Sequence, residues 1–205
     1  TASGKLDRQA GGLDFSVKLD DLARVLNTMS GPLTLDGNVA PTSKGVEGTV
    51  NLNGPDSSYA KLAGTVDSDG SADLDFDAKF NRIERFVPEF PGTVAANGSA
   101  KRNKGVWTID AQADGPAEIT GKVSGTFDES TGEADMKAVG GVNLGIANIF
   151  ITPNKIDGSA RFNLTLKGAP SLASLSGSVT TSGTSLAIPG AGQTITGISG
   201  QIDLA

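Results

Sequence analysis

The sequence contains no cysteine and no histidine. Disulfide bonds, thiolate zinc sites and cysteine nucleophiles are therefore excluded, and so are catalytic triads and proton shuttles that need an imidazole. Zero cysteine does not identify the compartment, because oxidising compartments permit disulfides without requiring them. We expect no enzyme here, and we assign no catalytic residue, no metal ligand and no cofactor.

Large aromatic side chains are also scarce, since aromatic residues make up 5% of the chain, with one tryptophan and one tyrosine. A spherical core of this size usually depends on aromatic side chains for much of its buried area. The apolar residues are mainly valine, leucine, isoleucine and alanine, and 28 of the 205 residues are glycine. This composition favours an elongated structure with a thin core.

Long apolar runs and basic stripes are missing as well. The most apolar stretch, Val142 to Ile151, is shorter than the ~18 residues that a membrane-spanning helix needs. The net charge is -6, and acidic residues are interspersed with lysine and arginine without a basic stripe, so no nucleic-acid surface is expected. The chain starts at Thr1 without a methionine and ends at Ala205 within an apparent strand, so we expect a fragment of a longer protein.

Strict alternation of apolar and polar residues dominates the sequence. Such alternation is typical of strands with one buried and one solvated face, and it predicts an all-β, antiparallel protein. The apolar members of these rows, which we expect to line one face, are Leu13, Phe15, Val17, Leu33, Leu35, Leu74, Phe76, Val94, Trp107, Ile109, Val123, Phe127, Phe162, Leu164, Leu166, Ile198, Ile202 and Leu204.

Turn signals separate the alternating runs. Glycine with aspartate, asparagine or threonine, and glycine before proline, supply the backbone angles that tight hairpins need. On this basis the expected turns are Asp69-Gly70, Asn97-Gly98, Gly54-Pro55, Thr131-Gly132 and Gly115-Pro116.

An internal repeat is visible at one constant offset, which is the separation between Gly54 and Gly115 in the sequence. At this repeat offset Gly54-Pro55 recurs as Gly115-Pro116, and the segment GTVD at 64–67 recurs as GTFD at 125–128. A third, shorter copy begins near Val142. We therefore predict one repeat-built domain over 1–205, with approximate repeats at 19–79, 80–141 and 142–205.

Two segments depart from the alternation. Their apolar residues fall at helical spacing and occupy the same place in successive repeats. We expect a short amphipathic helix in each, ended by Gly31 or by Pro88 and Pro91; an irregular edge strand or loop remains the alternative. The residues concerned are Leu19, Leu22, Leu26 and Met29, and then Phe80, Ile83, Val87 and Phe90.

Three phrases resemble the TamB family, within the AsmA-like group of bacterial envelope proteins. They are FNRIERFVPEFPGTVAANGSA (80–100), LGIANIFITPNKIDGSARFNLTLKGAPSLASLSGSVTTSGTSLAIPG (144–190) and ISGQIDLA (198–205). The resemblance covers most of the chain through degenerate β-repeat phrases rather than a catalytic signature. The aromatic-rich C-terminus of the family is missing, so the chain resembles an internal part of such a protein.

The resemblance implies a long antiparallel sheet curled into an open trough, a β-taco, with an apolar concave face. It implies a periplasmic location in a diderm bacterium, with the parent protein anchored in the inner membrane and partnered with TamA, a BamA-like outer-membrane barrel. It also implies a role in outer-membrane biogenesis, either phospholipid transport or the assembly and secretion of outer-membrane proteins such as autotransporters, whose strands would then be partners too.

The residues themselves are compatible with such a trough. Small aliphatic positions such as Ala96, Ala100 and Ala111 leave room for phospholipid acyl chains, which gain ~0.8 kcal/mol per buried CH₂. A sandwich or barrel alternates in the same way, so a closed core is the alternative interpretation. A structural or adhesive β-solenoid passenger of a surface protein is the alternative function, and a glycan-binding or hydrolytic sandwich is disfavoured by the lack of histidine and the few aromatics.

Two polar clusters have competing interpretations. Asp67 to Gly70 with Asp73 resembles a calcium loop, but the pattern lacks the closing glutamate of an EF-hand, and a hairpin turn explains it better. Lys101, Arg102 and Lys104 form a small basic cluster beside a turn, which could contact lipid head groups or simply form a polar hairpin tip. The row Asp73, Asp75 and Asp77 is expected on the solvated, convex side.

Overall fold

The computed structural model describes residues 1–6, 11–24, 30–85, 88 and 91–204. The described chain is built almost entirely from strands. They are β1 (Ala2–Leu6), β2 (Leu13–Leu19), β3 (Leu33–Pro41), β4 (Gly45–Asn53), β5 (Tyr59–Asp67), β6 (Ala72–Phe80), β7 (Val94–Asn103), β8 (Val106–Gly115), β9 (Ile119–Asp128), β10 (Glu133–Asn143), β11 (Lys155–Asp157), β12 (Ser159–Gly168), β13 (Leu175–Ile188) and β14 (Gln193–Leu204).

All strands join one 14-stranded antiparallel sheet. From β1 to β10 each strand pairs with the next along the chain, and β12 then follows β10. Strand β13 pairs with β12 and β11 along one side and with β14 along the other. The sheet does not close on itself, which confirms the expected all-β, open, curled trough.

The same backbone contacts recur at the repeat offset. The Leu22 amide donates to the Gly31 carbonyl at 2.8 Å, and the Ile83 amide donates to the Gly92 carbonyl at 3.0 Å. Gly31 and Gly92 both have positive φ, 116° and 138°, and a Cβ on either would press on a proline ring, Pro55 or Pro116. The local geometry therefore follows the offset seen in the sequence, while the repeat boundaries at 19–79, 80–141 and 142–205 stay a prediction.

Among the residues that the structure describes, helical structure is limited to short 3₁₀ turns and one four-residue α-helix. Leu19 and Phe80, where the helical spacing begins, end strands β2 and β6, because they pair with Leu33 and Val94. Single 3₁₀ turns follow at Leu22–Arg24 and Ile83–Arg85. The other expected helix positions, Leu26, Met29, Val87 and Phe90, lie outside the described residues.

One short α-helix, α1 (Asn148–Ile151), was not expected from the sequence. It follows a 3₁₀ turn at Leu144–Ala147, in which the Gly145 amide donates to the Asn143 side chain. The Asn148 side chain bonds both backbone groups of Ile156 at 2.7 and 3.1 Å, replacing a strand partner there. In the ranges given above, no helix has the length and apolar character needed to cross a membrane.

One expected turn was wrong. Asn97-Gly98 lies in the middle of β7, where Asn97 pairs with Asp77 and Gly98 pairs with Phe76. Gly98 is at this place because a Cβ would collide with the backbone of Asp110 and Ala111 on β8. A glycine after asparagine therefore marks a close strand approach here, not a hairpin.

Candidate functional site

The predicted lining residues all lie on one face of the sheet. Residues directly opposite each other in an antiparallel pair share a face, and so do alternate residues along a strand. One continuous row, for example, crosses the sheet from β2 to β10 and on to β14. Its members are Val17, Leu35, Leu52, Ala60, Ala78, Ala96, Ala113, Gly121, Gly140, Phe162, Val179 and Ile202.

The rest of the predicted set occupies neighbouring rows of that same face. Phe15 faces Gly37, Leu74 faces Ala100, and Ile109 faces Gly125. We call the whole surface the apolar face. It is formed by the alternate strand residues that include Leu13, Phe15, Val17, Leu33, Leu35, Leu74, Phe76, Val94, Trp107, Ile109, Val123, Phe127, Phe162, Leu164, Leu166, Ile198, Ile202 and Leu204.

The apolar face is not filled by its own side chains. Among the described residues, the only hydrophobic ones that are buried are Leu22, Ala134 and Ala160. Leu62 remains 41% exposed and Ile202 67% exposed, although both lie on strands of a large sheet. Soluble monomers seldom expose contiguous apolar surface on this scale, and such a surface usually marks a binding site.

Sequence reasoning missed part of this face on β4 and β5. A depression of about 140 Å³ lies there, around Gly48 and Gly64, and its apolar walls include Val50, Leu62 and Leu74. The alternation of these strands was visible in the sequence, but glycine takes the apolar position in the middle of each. Those glycines pair with each other across β4 and β5 and deepen the face.

Phenylalanine rings cover glycines on the apolar face. The ring of Phe15 lies over Gly37, and the ring of Phe162 lies over Gly140, so that a Cβ on either glycine would collide with the ring. Each pair consists of direct cross-strand partners. A large side chain over a glycine shields the exposed backbone and fixes the register of the pair.

The opposite face is polar. Asp73, Asp75 and Asp77 lie on it, as expected, and Lys101 forms an ion pair with Asp73 at 2.8 Å. The hydroxyl of Tyr59 donates to Asp77 at 3.1 Å, which raises the pKa of Tyr59. The Asp67 to Gly70 segment forms the β5–β6 hairpin turn, with the Ser71 amide donating to Asp69 at 2.8 Å.

A depression of about 480 Å³ also lies at this polar face, lined by Asp14, Asn38, Thr49 and Thr65. Within it, the Thr49 hydroxyl donates to the Asn38 side chain at 3.2 Å. No three carboxylates converge as a metal site would require anywhere in the part of the chain that the structure describes.

A charged cluster stands at the rim of the apolar face. Arg102 donates from Nη2 to Oε2 of Glu129 at 2.7 Å, and Trp107 donates from Nε1 to Oε1 of the same carboxylate at 2.6 Å. The hydrogen bond from Arg102, and then the one from Trp107, lower the pKa of Glu129, and the pKa of Arg102 is raised in return. The basic cluster expected from the sequence is thus divided, because Lys101 points to the polar face and Arg102 to the apolar one.

The site is thus a wide apolar surface with a charged cluster at its rim, and such a surface can bury flexible apolar molecules. The function of this surface has to be inferred from its own residues, because comparison with known proteins adds nothing. No protein-family model, no curated protein and no solved structure matches the chain.

Proposed function

We propose that this chain is a periplasmic segment of an envelope-spanning protein similar to the TamB family, and that its apolar face holds the acyl chains of phospholipids during transport between the two membranes. The single observation that supports this proposal is the continuous, exposed apolar face running across the open sheet. Burial contributes ~0.8 kcal/mol per CH₂, so an acyl chain binds without any specific polar contact.

The lining also suits movement along the trough. One row of the face is built from small residues, because Ala60, Ala78, Ala96 and Ala113 lie side by side on β5 to β8. Such a row offers similar contacts at each successive strand, so no single position holds an acyl chain much more tightly than its neighbour. A lipid can therefore shift from strand to strand without a large barrier.

The remaining parts of the proposal come from the resemblance. They are the anchoring of the parent protein in the inner membrane, its partnership with a TamA-like barrel, and a role in assembling outer-membrane proteins, including autotransporters. The exposed face is compatible with an unfolded amphipathic strand as cargo, because such a strand also presents alternate apolar side chains.

The alternative function, a structural or adhesive β-solenoid with a closed core, fits the structure less well. A parallel β-helix stacks parallel strands, whereas every strand pair described here is antiparallel. A closed core would also bury residues such as Leu13 and Val66, which are 44% and 43% exposed.

Photo-crosslinking tests the proposal directly. A benzophenone amino acid is placed at Leu62 or Ile109 on the apolar face, and at the adjacent Lys61 or Asp110 on the polar face as matched controls. The chain is produced in the periplasm of a diderm bacterium, irradiated and analysed by intact-mass spectrometry. Phospholipid adducts at Leu62 and Ile109, with few at the controls, support the proposal.

Two outcomes of this experiment contradict the proposal. Equal lipid adducts on both faces would show non-specific contact with membranes. A lack of lipid adducts on the apolar face would show that lipid is not its cargo, and protein adducts there in place of lipid would favour unfolded outer-membrane strands.

A further inference from the structure

Arg102 occupies an unusual place. Among the strand residues that the structure describes, it is the only charged side chain on the apolar face. It pairs across the sheet with Ala72 on one side and Trp107 on the other, in the last row before the hairpin turns. The next row inward is aliphatic, with Leu74, Ala100 and Ile109.

The guanidinium is held in place but remains accessible. Its Nη1 donates to the Gly70 carbonyl at 2.5 Å, and its Nε lies 3.2 Å from both carboxylate oxygens of Glu129. The side chains of Arg102 and Glu129 are 28% and 40% exposed. A guanidinium carries more N–H donors than these contacts use, so an incoming anion finds donors without displacing Glu129.

The scaffold does not need these charges. At the repeat offset, Pro41, Val46 and Ser68 stand where Arg102, Trp107 and Glu129 stand in the next unit. The backbone contact between neighbouring turns is nevertheless the same, since the Ser68 amide donates to Lys44 at 2.8 Å and the Glu129 amide donates to Gly105 at 3.0 Å. The same backbone contact therefore forms with or without the ion pair. A purely structural role does not explain why only one of these two units has it.

We propose that Arg102 and Glu129 bind the head group of a zwitterionic glycerophospholipid, with the phosphate on the guanidinium and the ammonium on the carboxylate. This inference rests on the proposed function, because it places the acyl chains of that lipid on the apolar face. Arginine binds phosphate through parallel N–H donors, and a carboxylate beside it offers the ammonium its complementary charge. Trp107 completes the site, since indole rings prefer the boundary between apolar and polar surroundings.

The dimensions fit such a lipid. Strand β7 runs from Arg102 to Val94 along the apolar face, a distance of roughly 26 Å at about 3.3 Å per residue. One leaflet of a bilayer has a hydrocarbon depth of about 15 Å, half of the ~30 Å core. Acyl chains that start at the rim therefore stay on the apolar face over their whole length.

The test uses lipids that share acyl chains and differ in head group. The chain carrying the benzophenone at Ile109 is mixed with vesicles containing equal amounts of phosphatidylethanolamine, phosphatidylglycerol and diacylglycerol, and the adducts are counted by mass spectrometry. We expect phosphatidylethanolamine to exceed diacylglycerol by about tenfold, the factor for one hydrogen bond to a charged group. The double variant Arg102→Gln with Glu129→Gln should lose this preference, whereas Lys101→Gln, on the polar face, should keep it.

A second variant gives a directional result. Glu129→Ser installs the residue of the preceding unit and leaves Arg102 as an unbalanced cation, so the preference should move from phosphatidylethanolamine to phosphatidylglycerol. Unchanged head-group preference in both variants, with lipid still captured, overturns the head-group site and leaves the acyl-chain proposal standing. No adduct of any of the three lipids in the parent chain overturns the acyl-chain proposal instead.

Discussion

The ring of Phe162 on β12 lies over the backbone of Gly140, its direct partner on β10. A Cβ at Gly140 would collide with that ring and with the carbonyl oxygen of Thr120 on β9. Three strands therefore meet at this point with no space for a side chain. The apolar face owes part of its shape to such contacts, because glycine permits a close approach that alanine would prevent.

Gly140→Ala should therefore destabilise the sheet. We expect a loss of about 1–3 kcal/mol in the free energy of unfolding, the usual cost of overpacking, measured as a lower urea midpoint. Gly200→Ala is the matched control, because Gly200 lies on the same face and a Cβ there would meet nothing within 4 Å. Equal stability of the two variants would contradict the close packing at Gly140.

An open apolar face should tolerate polar substitutions. Leu62→Ser removes a side chain that is 41% exposed, so we expect a loss of only about 1 kcal/mol. Ala160 is 2% exposed on the same face, and Ala160→Asp would bury an unpaired charge at a cost above ~3 kcal/mol. If Leu62→Ser costs as much as a typical core truncation, about 2–5 kcal/mol, the face is closed in solution.

Trp107 is the single tryptophan, so its fluorescence tests for lipid at the rim. Lipids brominated near the top of the acyl chain should quench its fluorescence, because its ring lies on the apolar face beside Phe127. In the control, Trp107→Phe is combined with Thr108→Trp, which moves the indole to the neighbouring position on the polar face. Quenching of similar strength in both proteins would mean that lipid does not distinguish the faces.

Acid should weaken the fold. The pKa of Glu129 is lowered by Arg102 and Trp107, that of Asp128 by the Ser130 hydroxyl and amide, and that of Asp69 by the Ser71 amide. A carboxylate whose pKa is lower in the folded state stabilises fully above its ordinary value of ~4 and loses this contribution as the pH falls through the folded value. We expect the urea midpoint to be flat from pH 7 to about 5 and to fall below about pH 4.5.

The variant Glu129→Gln measures how much of this acid-induced loss of stability comes from the cluster of Arg102, Trp107 and Glu129. The variant should show a shallower fall on acidification than the parent chain, since one of the shifted carboxylates is gone. A midpoint that rises on acidification would reverse the expected sign, and an identical acid slope in Glu129→Gln would remove Glu129 from the explanation.

Alternation placed the predicted lining residues on one face, because the pattern within a strand can be recognised without knowledge of its neighbours. Residues as distant as Leu13 and Leu204 fall on the expected side of the sheet. Asn97-Gly98 was wrongly expected to form a turn, because a turn dipeptide and a close-packed strand glycine look identical in a sequence. The Leu19 and Phe80 segments each begin with the last residue of a strand and continue into a 3₁₀ turn, at Leu22–Arg24 and Ile83–Arg85, because the helical spacing started one residue inside the strand.

The cluster of Arg102, Trp107 and Glu129 at the rim could not be predicted from the sequence. Lys101 and Arg102 are neighbours in the sequence and looked like one basic patch, but adjacent strand residues point to opposite faces. Their partners, Asp73 and Glu129, lie 28 and 27 residues away. The alternating pattern also could not predict that the sheet is open, because the strands of a sandwich and of a trough alternate in the same way.

Because the same backbone contacts recur from one repeat unit to the next, the length of the sheet grows in proportion to the number of units. Strands β3 to β6 and β7 to β10 each supply one set of four, and neighbouring strands lie ~4.8 Å apart, so one set extends the sheet by roughly 19 Å. Inserting or deleting one such set would change the reach of the molecule by a fixed step. The span of the sheet can thus be set by the number of units, while the pairing between strands is kept.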